Sequence, residues 1–222
     1  MKHAVFCALF LTACAGLDDE QYYRGYILPS TVDKSVAGEE LPSAKLSQQN
    51  PLRLGDTFVF NNPAEIWSVS SITKHEVTWE SPTGSYMRTA AVTFLPPLEW
   101  GGDASVTDSG RRELLDLDFS GDVAALKNGS VYSYTEVRRN DRPPSVTTAK
   151  WECQLGGGEE IVVAAGKTTA IPITCKQNGI ERLLLNYSPA LGYVVRHVLS
   201  TTAGPVVREL SAYQRVPTAY DR

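Results

Sequence analysis

From residue 146 to residue 213 the chain alternates short β-forming runs with turn residues about every ten positions, and no other feature restricts its possible folds so strongly. The runs at 146–155, 159–164, 169–175, 181–187, 192–200 and 206–213 are separated by Gly156-Gly157-Gly158, Ala165-Gly166-Lys167, Gln177-Asn178-Gly179, Ser188-Pro189 and Ala203-Gly204-Pro205. Turns this close together leave no room for crossover helices, so neighbouring strands must run antiparallel. The sequence therefore predicts an all-β, mainly antiparallel fold. Sandwich, barrel and curved meander all satisfy the pattern, because turn chemistry does not fix which distant strands pair.

The earlier part of the chain reads the same way. Strand-like runs at 57–60, 66–72, 77–80 and 86–95 are broken by Asn61-Asn62-Pro63, by 73–76 and by Ser81-Pro82-Thr83-Gly84. Period-two alternation makes Trp67 and Trp79 core or sheet-face residues. Pro96-Pro97 and Gly101-Gly102-Asp103 interrupt the run, and residues 112–126 fit neither a helical nor a strand period. That gives a first β-rich block at 51–100, a connecting segment at 101–125 and a second β-rich block at 126–217. Leu52 to Phe60 and Leu126 to Tyr134 share one pattern of leucine, glycine and two alternating aromatics. The echo leaves two similar β-rich halves as an option.

The amino terminus supplies the address. Residues 1–13 carry Lys2, an apolar run from Ala4 to Leu11 and small residues before a cysteine. That run is far shorter than the roughly 20 residues a membrane-crossing helix needs, so the segment reads as a secretory signal. Leu11-Thr12-Ala13-Cys14 resembles the lipobox of bacterial envelope lipoproteins. The resemblance implies cleavage before Cys14, acylation of that cysteine and attachment to a membrane through several acyl chains, each buried methylene contributing roughly 0.8 kcal/mol. Ala15 stands where aspartate would imply inner-membrane retention, so the implied address is the periplasmic face of the outer membrane. Residues 14–50, polar apart from Tyr22, Tyr23 and Tyr26, read as a tether. The stretch from Trp151-Glu152-Cys153 through Cys175 to Tyr187-Ser188-Pro189-Ala190-Leu191-Gly192-Tyr193-Val194-Val195-Arg196 resembles β-rich periplasmic domains of unknown function. That resemblance implies an antiparallel sheet and no activity.

In an oxidising envelope Cys153 and Cys175 are expected to form a structural disulfide. A redox pair more often has CxxC spacing, and zinc would need more ligands than His75 and His197 provide. The chain has 21 Lys plus Arg against 25 Asp plus Glu. With no basic surplus to neutralise phosphates, nucleic acid is excluded as the expected partner.

Candidate chemistry is sparse. Ser71-Ile72-Thr73-Lys74 has SxxK spacing, but lies in strand and turn rather than on the helix that would bring the two side chains together. Asp116, Asp118 and Asp122 lack the glycine and closing glutamate of a calcium loop. His75-Glu76 and His197 read as exposed turn and strand positions. Glu159 and Glu160, adjacent on a strand, point to opposite faces and cannot flank one glycosidic bond. Arg138, Arg139 and Arg142 form a basic patch at an expected hairpin tip. Asn128-Gly129-Ser130 and Asn186-Tyr187-Ser188 are formal glycosylation sequons. No catalytic residue, metal site or cofactor is assigned. The leading expectation is a non-enzymatic lipoprotein that binds an envelope protein or glycan. The alternative is a carrier of lipid or another apolar ligand, favoured by a groove lined by Trp67, Trp79, Phe94 and Trp100, with an envelope hydrolase third.

Overall fold

The computed structural model describes residues 51–62, 64–102, 109–118 and 128–217. Cys14, the signal segment, the tether, Asp122 and much of the connecting segment lie outside the described residues. Thirteen strands follow one another without a helix among those residues: β1 Thr57–Asn61, β2 Glu65–Ile72, β3 Glu76–Glu80, β4 Tyr86–Ala90, β5 Glu99–Gly101, β6 Gly110–Leu115, β7 Val131–Asp141, β8 Pro144–Leu155, β9 Glu159–Val163, β10 Gly166–Gln177, β11 Ile180–Ser188, β12 Tyr193–Thr201 and β13 Gly204–Gln214. The sheet order is β11-β12-β13-β1-β2-β3-β4-β5-β6-β7-β8-β10, and β10 also pairs with β11. Twelve strands thus close into an antiparallel barrel, with β9 an extra strand on the first half of β10. β13 pairs with β1, so strands before and after the connecting segment share one wall, and β6, within that segment, pairs with β7.

Local chemistry accounts for most of the hairpins. Asn178-Gly179 joins β10 to β11 with φ of 50° and 84°, the left-handed pair that a tight hairpin turn requires and that Asn-Gly adopts at least cost. Gly110 is fixed by close approach: a Cβ there would lie 2.5 Å from the Arg139 carbonyl oxygen and 2.7 Å from the Trp100 ring. The 112–126 stretch resolves as a strand in its first part, since β6 continues to Leu115 and pairs with β7.

Most of the alternating inward positions are apolar and most of the outward ones polar. On β8, Trp151, Cys153 and Leu155 are buried, whereas Lys150, Glu152 and Gln154 are exposed. A membrane-spanning barrel shows the reverse, so this wall is built to face water. Twelve strands also enclose more space than wall side chains can fill, since eight already match side-chain dimensions. Two segments fill the remainder. The sequence predicts one strand over 86–95, but β4 ends at Ala90 and the chain turns inward, burying Val92, Thr93, Phe94 and Leu95 in succession. Phe94 meets Tyr132 and Tyr187 across the lumen, and the Thr93 hydroxyl donates to the Gly192 carbonyl at 2.6 Å. Likewise β12 pairs with β13 only up to Arg196↔Glu209, and Tyr193, Val194 and Val195 are all buried. Three buried neighbours in an extended run mean that both faces are covered. Beyond that point the Leu210 carbonyl accepts from Ala165 N at 3.0 Å, so the β9–β10 hairpin takes the place beside β13.

The core has two parts. Phe58, Trp67, Trp79, Leu191, Tyr193 and Leu210 belong to one cluster, and Phe94, Tyr132, Trp151, Ile173, Leu185 and Tyr187 to the other. Trp67 and Trp79 are 3% and 0% exposed, as the alternation requires. Trp79 donates from its indole to Thr89 Oγ1 at 3.1 Å. Both aromatic echoes point inward: Phe58 and Phe60 on β1, Tyr132 and Tyr134 on β7. Cys153 and Cys175 are direct cross-strand partners on β8 and β10, bonded as a disulfide with Cα atoms 4.1 Å apart.

Candidate functional site

Two places gather polar chemistry. The first is the barrel lumen, where a cavity of about 120 Å³ remains between the inward segment and the wall. Its lining is mostly apolar, with Tyr134 and Trp151 stacked across β7 and β8 at a centroid distance of 6.4 Å. At its charged side stand Arg112 from β6, Glu136 and Arg138 from β7, His197 from β12 and Arg208 from β13. Inward alternation sets these positions: His197 and Arg208 are cross-strand partners, and so are Leu185 and His197.

These charges are buried, and buried charges persist only with partners. Arg112 Nε lies 2.8 Å from Glu136 Oε1, and its Nη1 donates to the Pro97 carbonyl at 2.6 Å. Arg112 and Arg138 approach the Trp100 ring at 5.3 and 5.2 Å, a pair of cation–π contacts. Arg208 pairs with Glu65, which also accepts from the Trp67 indole at 2.9 Å, and its guanidinium lies 3.9 Å from the Phe60 ring centre. Burial, with the Arg208 charge second, pushes the His197 pKa down to about 3. A neutral imidazole so reluctant to take a proton is a poor general base at neutral pH.

The second place is a cleft of about 510 Å³ bordered by β4, β5, β6 and the end of β7. Its lining is mostly polar. The Tyr86 ring rests over Gly101, whose Cβ, if present, would lie 2.9 Å from it, and Tyr86 stays 37% exposed. Tyr86 Oη donates to Glu99 Oε1 at 3.0 Å, and Arg88 bridges Glu99 and Glu76. Burial and the Glu99 contact raise the Tyr86 phenol pKa. Arg111, Arg112 and Asp141 complete the rim, so Arg112 borders both cleft and lumen.

The residues singled out in the sequence are scattered. His75, Ser71 and Lys74 are exposed on β2 and the turn after it. Glu159 accepts from Asn186, while Glu160 pairs with Lys167, which separates the two carboxylates as strand geometry requires. Asp116 and Asp118 are exposed, and no cluster of metal-ligating side chains exists among the described residues. Asn186 is only 2% exposed. Two readings are corrected. Arg138 is not at a solvated tip, because β7 runs on to Asp141 and alternation turns Arg138 inward while Arg139 faces water. His197 is not an exposed strand residue but half-buried, with its Nε2 turned out of solvent, since it shares the inward face with Leu199. The groove that would have favoured a carrier is not formed by those side chains: of Trp67, Trp79, Phe94 and Trp100, only Phe94 lines the cavity. The signal that was available for Arg138 and Arg208 was their place in period with buried aromatics and aliphatics.

No protein-family model matches the chain, and no curated protein does either. Among solved structures, the chain is similar to the hypothetical lipoprotein YmcC from Escherichia coli K12, at 16% identity and a TM-score of 0.46 over 73% of this chain and 84% of that one. It is also similar to a protein of Bacteroides fragilis described as exported and YmcC-like in fold, at 8% identity and a TM-score of 0.36 over 76% of this chain and all of the other.

Proposed function

We propose that the chain is a non-enzymatic lipoprotein of the bacterial envelope, anchored through Cys14 at the periplasmic face of the outer membrane, whose barrel binds an envelope glycan in the cleft beside Tyr86. The single observation that carries this reading is the cleft itself: an exposed tyrosine ring beside a carboxylate and guanidinium groups already held in place by one another. Sugars present apolar C–H faces that stack on such rings and hydroxyl pairs that meet planar charged groups. A protein-binding face would have a more apolar centre. The luminal charges favour binding over catalysis, since Arg112–Glu136 and Arg208–Glu65 hold the interior together and His197 is held neutral.

The test is a ligand-observed NMR titration of the mature chain against a panel of envelope oligosaccharides. Saturable binding that Tyr86→Ala abolishes and Glu99→Gln weakens supports the reading. Binding unchanged in Tyr86→Ala, or none across the panel, overturns it, and cross-linking in cells then identifies a protein partner instead. The anchor is tested separately: Cys14→Ala is expected to shift the chain from the membrane fraction to the soluble one.

A further inference from the structure

The lumen carries a feature that a scaffold for surface binding does not need. Two of the side chains that line its cavity hold buried polar atoms with no hydrogen-bond partner, the indole Nε1 of Trp151 and Nε2 of His197. Trp151 is 7% exposed, and His197 is half-buried with its Nε2 shielded from solvent. Buried polar groups are nearly always satisfied, so two orphans on one cavity indicate a ligand that partners them. The lining holds three guanidinium groups and the Glu136 carboxylate, and with Glu65 behind Arg208 a net positive charge remains, a balance that favours an anion in a low-dielectric interior. Each arginine keeps its protein partners and, with five N–H donors, can still donate to a further oxygen. The remaining walls are aromatic and aliphatic. A volume of about 120 Å³ sets the scale, given that a dry cavity of roughly 150 Å³ holds benzene. Phe94, packed across the lumen, stops a longer chain.

We infer that the luminal cavity is a binding site for a compact monocarboxylate with an apolar body, the size of benzoate or a short fatty acid. Its apolar part lies against Tyr134, Trp151 and the leucines of β11. Its carboxylate accepts from Trp151 Nε1 and from a neutral His197. The site is distinct from the glycan cleft and stands or falls independently of it.

The probes are benzoate and hexanoate, with neutral toluene as the isostere of benzoate, added at millimolar concentration to the isotope-labelled mature chain. The Trp151 indole resonance reports occupancy. The expected result is a saturable shift with either carboxylate, with toluene binding weaker by on the order of tenfold or more, as the loss of charge-assisted hydrogen bonds implies. Trp151→Phe keeps an aromatic ring without the N–H and is expected to weaken benzoate by on the order of tenfold while leaving toluene unchanged. Should that variant not fold, His197→Gln supplies the second comparison. Toluene binding as tightly as benzoate, equal benzoate affinity in a folded variant, or no saturable shift with either carboxylate overturns the assignment.

Discussion

His197 is the residue at which sequence and environment conflict most, and the conflict is measurable. Its folded pKa of about 3 lies below the ordinary value of 6.5, because burial first and Arg208 second disfavour the imidazolium. As pH falls below 6.5 the unfolded chain takes up a proton that the folded chain refuses. Stability is therefore complete above that value and is lost progressively down to about pH 3, with a limiting slope of about 1.4 kcal/mol per pH unit from this group. Urea unfolding at several pH values should show His197→Phe losing less stability between pH 6.5 and 4 than the parent; parallel curves would refute this. Glu65 makes the complementary case. Its carboxylate faces Arg208 and the Trp67 indole with almost no solvent. Glu65→Gln leaves the guanidinium under-compensated and should cost about 3–5 kcal/mol. If denaturant titration finds less than 1 kcal/mol, roughly the value of an exposed pair, the lumen is wetter than its geometry implies.

At the scale of elements, the inward segment after β4 and the disulfide each have a definable effect. Phe94→Ala removes the ring that packs on Tyr132 and Tyr187 and should destabilise by about 3–5 kcal/mol. It should also enlarge the luminal cavity, so a medium-length fatty acid that the parent rejects should bind the variant, as calorimetry can report. The disulfide closes a separation of 22 residues, and the Cys153→Ala, Cys175→Ala double variant should lose about 3 kcal/mol in the chain-entropy account. With both cysteines at 1% exposure or less, thiol reductant should act only once the barrel opens. These elements also mark how far the sequence could be read. The hairpins from β7 onward were legible because Asn178-Gly179 and the alternation of Trp151, Cys153 and Leu155 are local signals. The inward turn at Ala91 was not, because Val92 to Leu95 look like an extension of β4 until the width of the barrel is known. The luminal site was hidden for the same reason: Arg112, Arg138, His197 and Arg208 come from four strands whose pairing depends on closure. A charged residue within an alternating strand reads as outward until its neighbours are fixed. The cleft was no easier, since Tyr86 and Glu99 meet only through the short pairing of β4 with β5.

For the whole molecule, closure depends on a pairing made between the two ends of the described chain. β1 and β13 join Thr57 to Gln214, and loop-closure entropy must be overcome before their hydrogen bonds form. An all-β barrel with such distant partners is expected to fold in milliseconds to seconds rather than microseconds. The same topology makes the barrel all or nothing. Removal of residues 204–217 would expose the edges of β1 and β12 together, strip Arg208 from Glu65, and take Leu210 and Tyr213 out of the core around Phe58. Open, apolar-faced edges pair with other chains. The truncated chain should therefore elute as soluble aggregate or precipitate and lose its near-ultraviolet circular dichroism. An intact end with a substituted surface residue, such as Lys150→Ala on the outer face of β8, should remain monodisperse with the parent spectrum. A monomeric truncation with native aromatic signals would show that the remaining strands close without β13, and would remove the argument that the lumen and its charged side exist only in the complete ring.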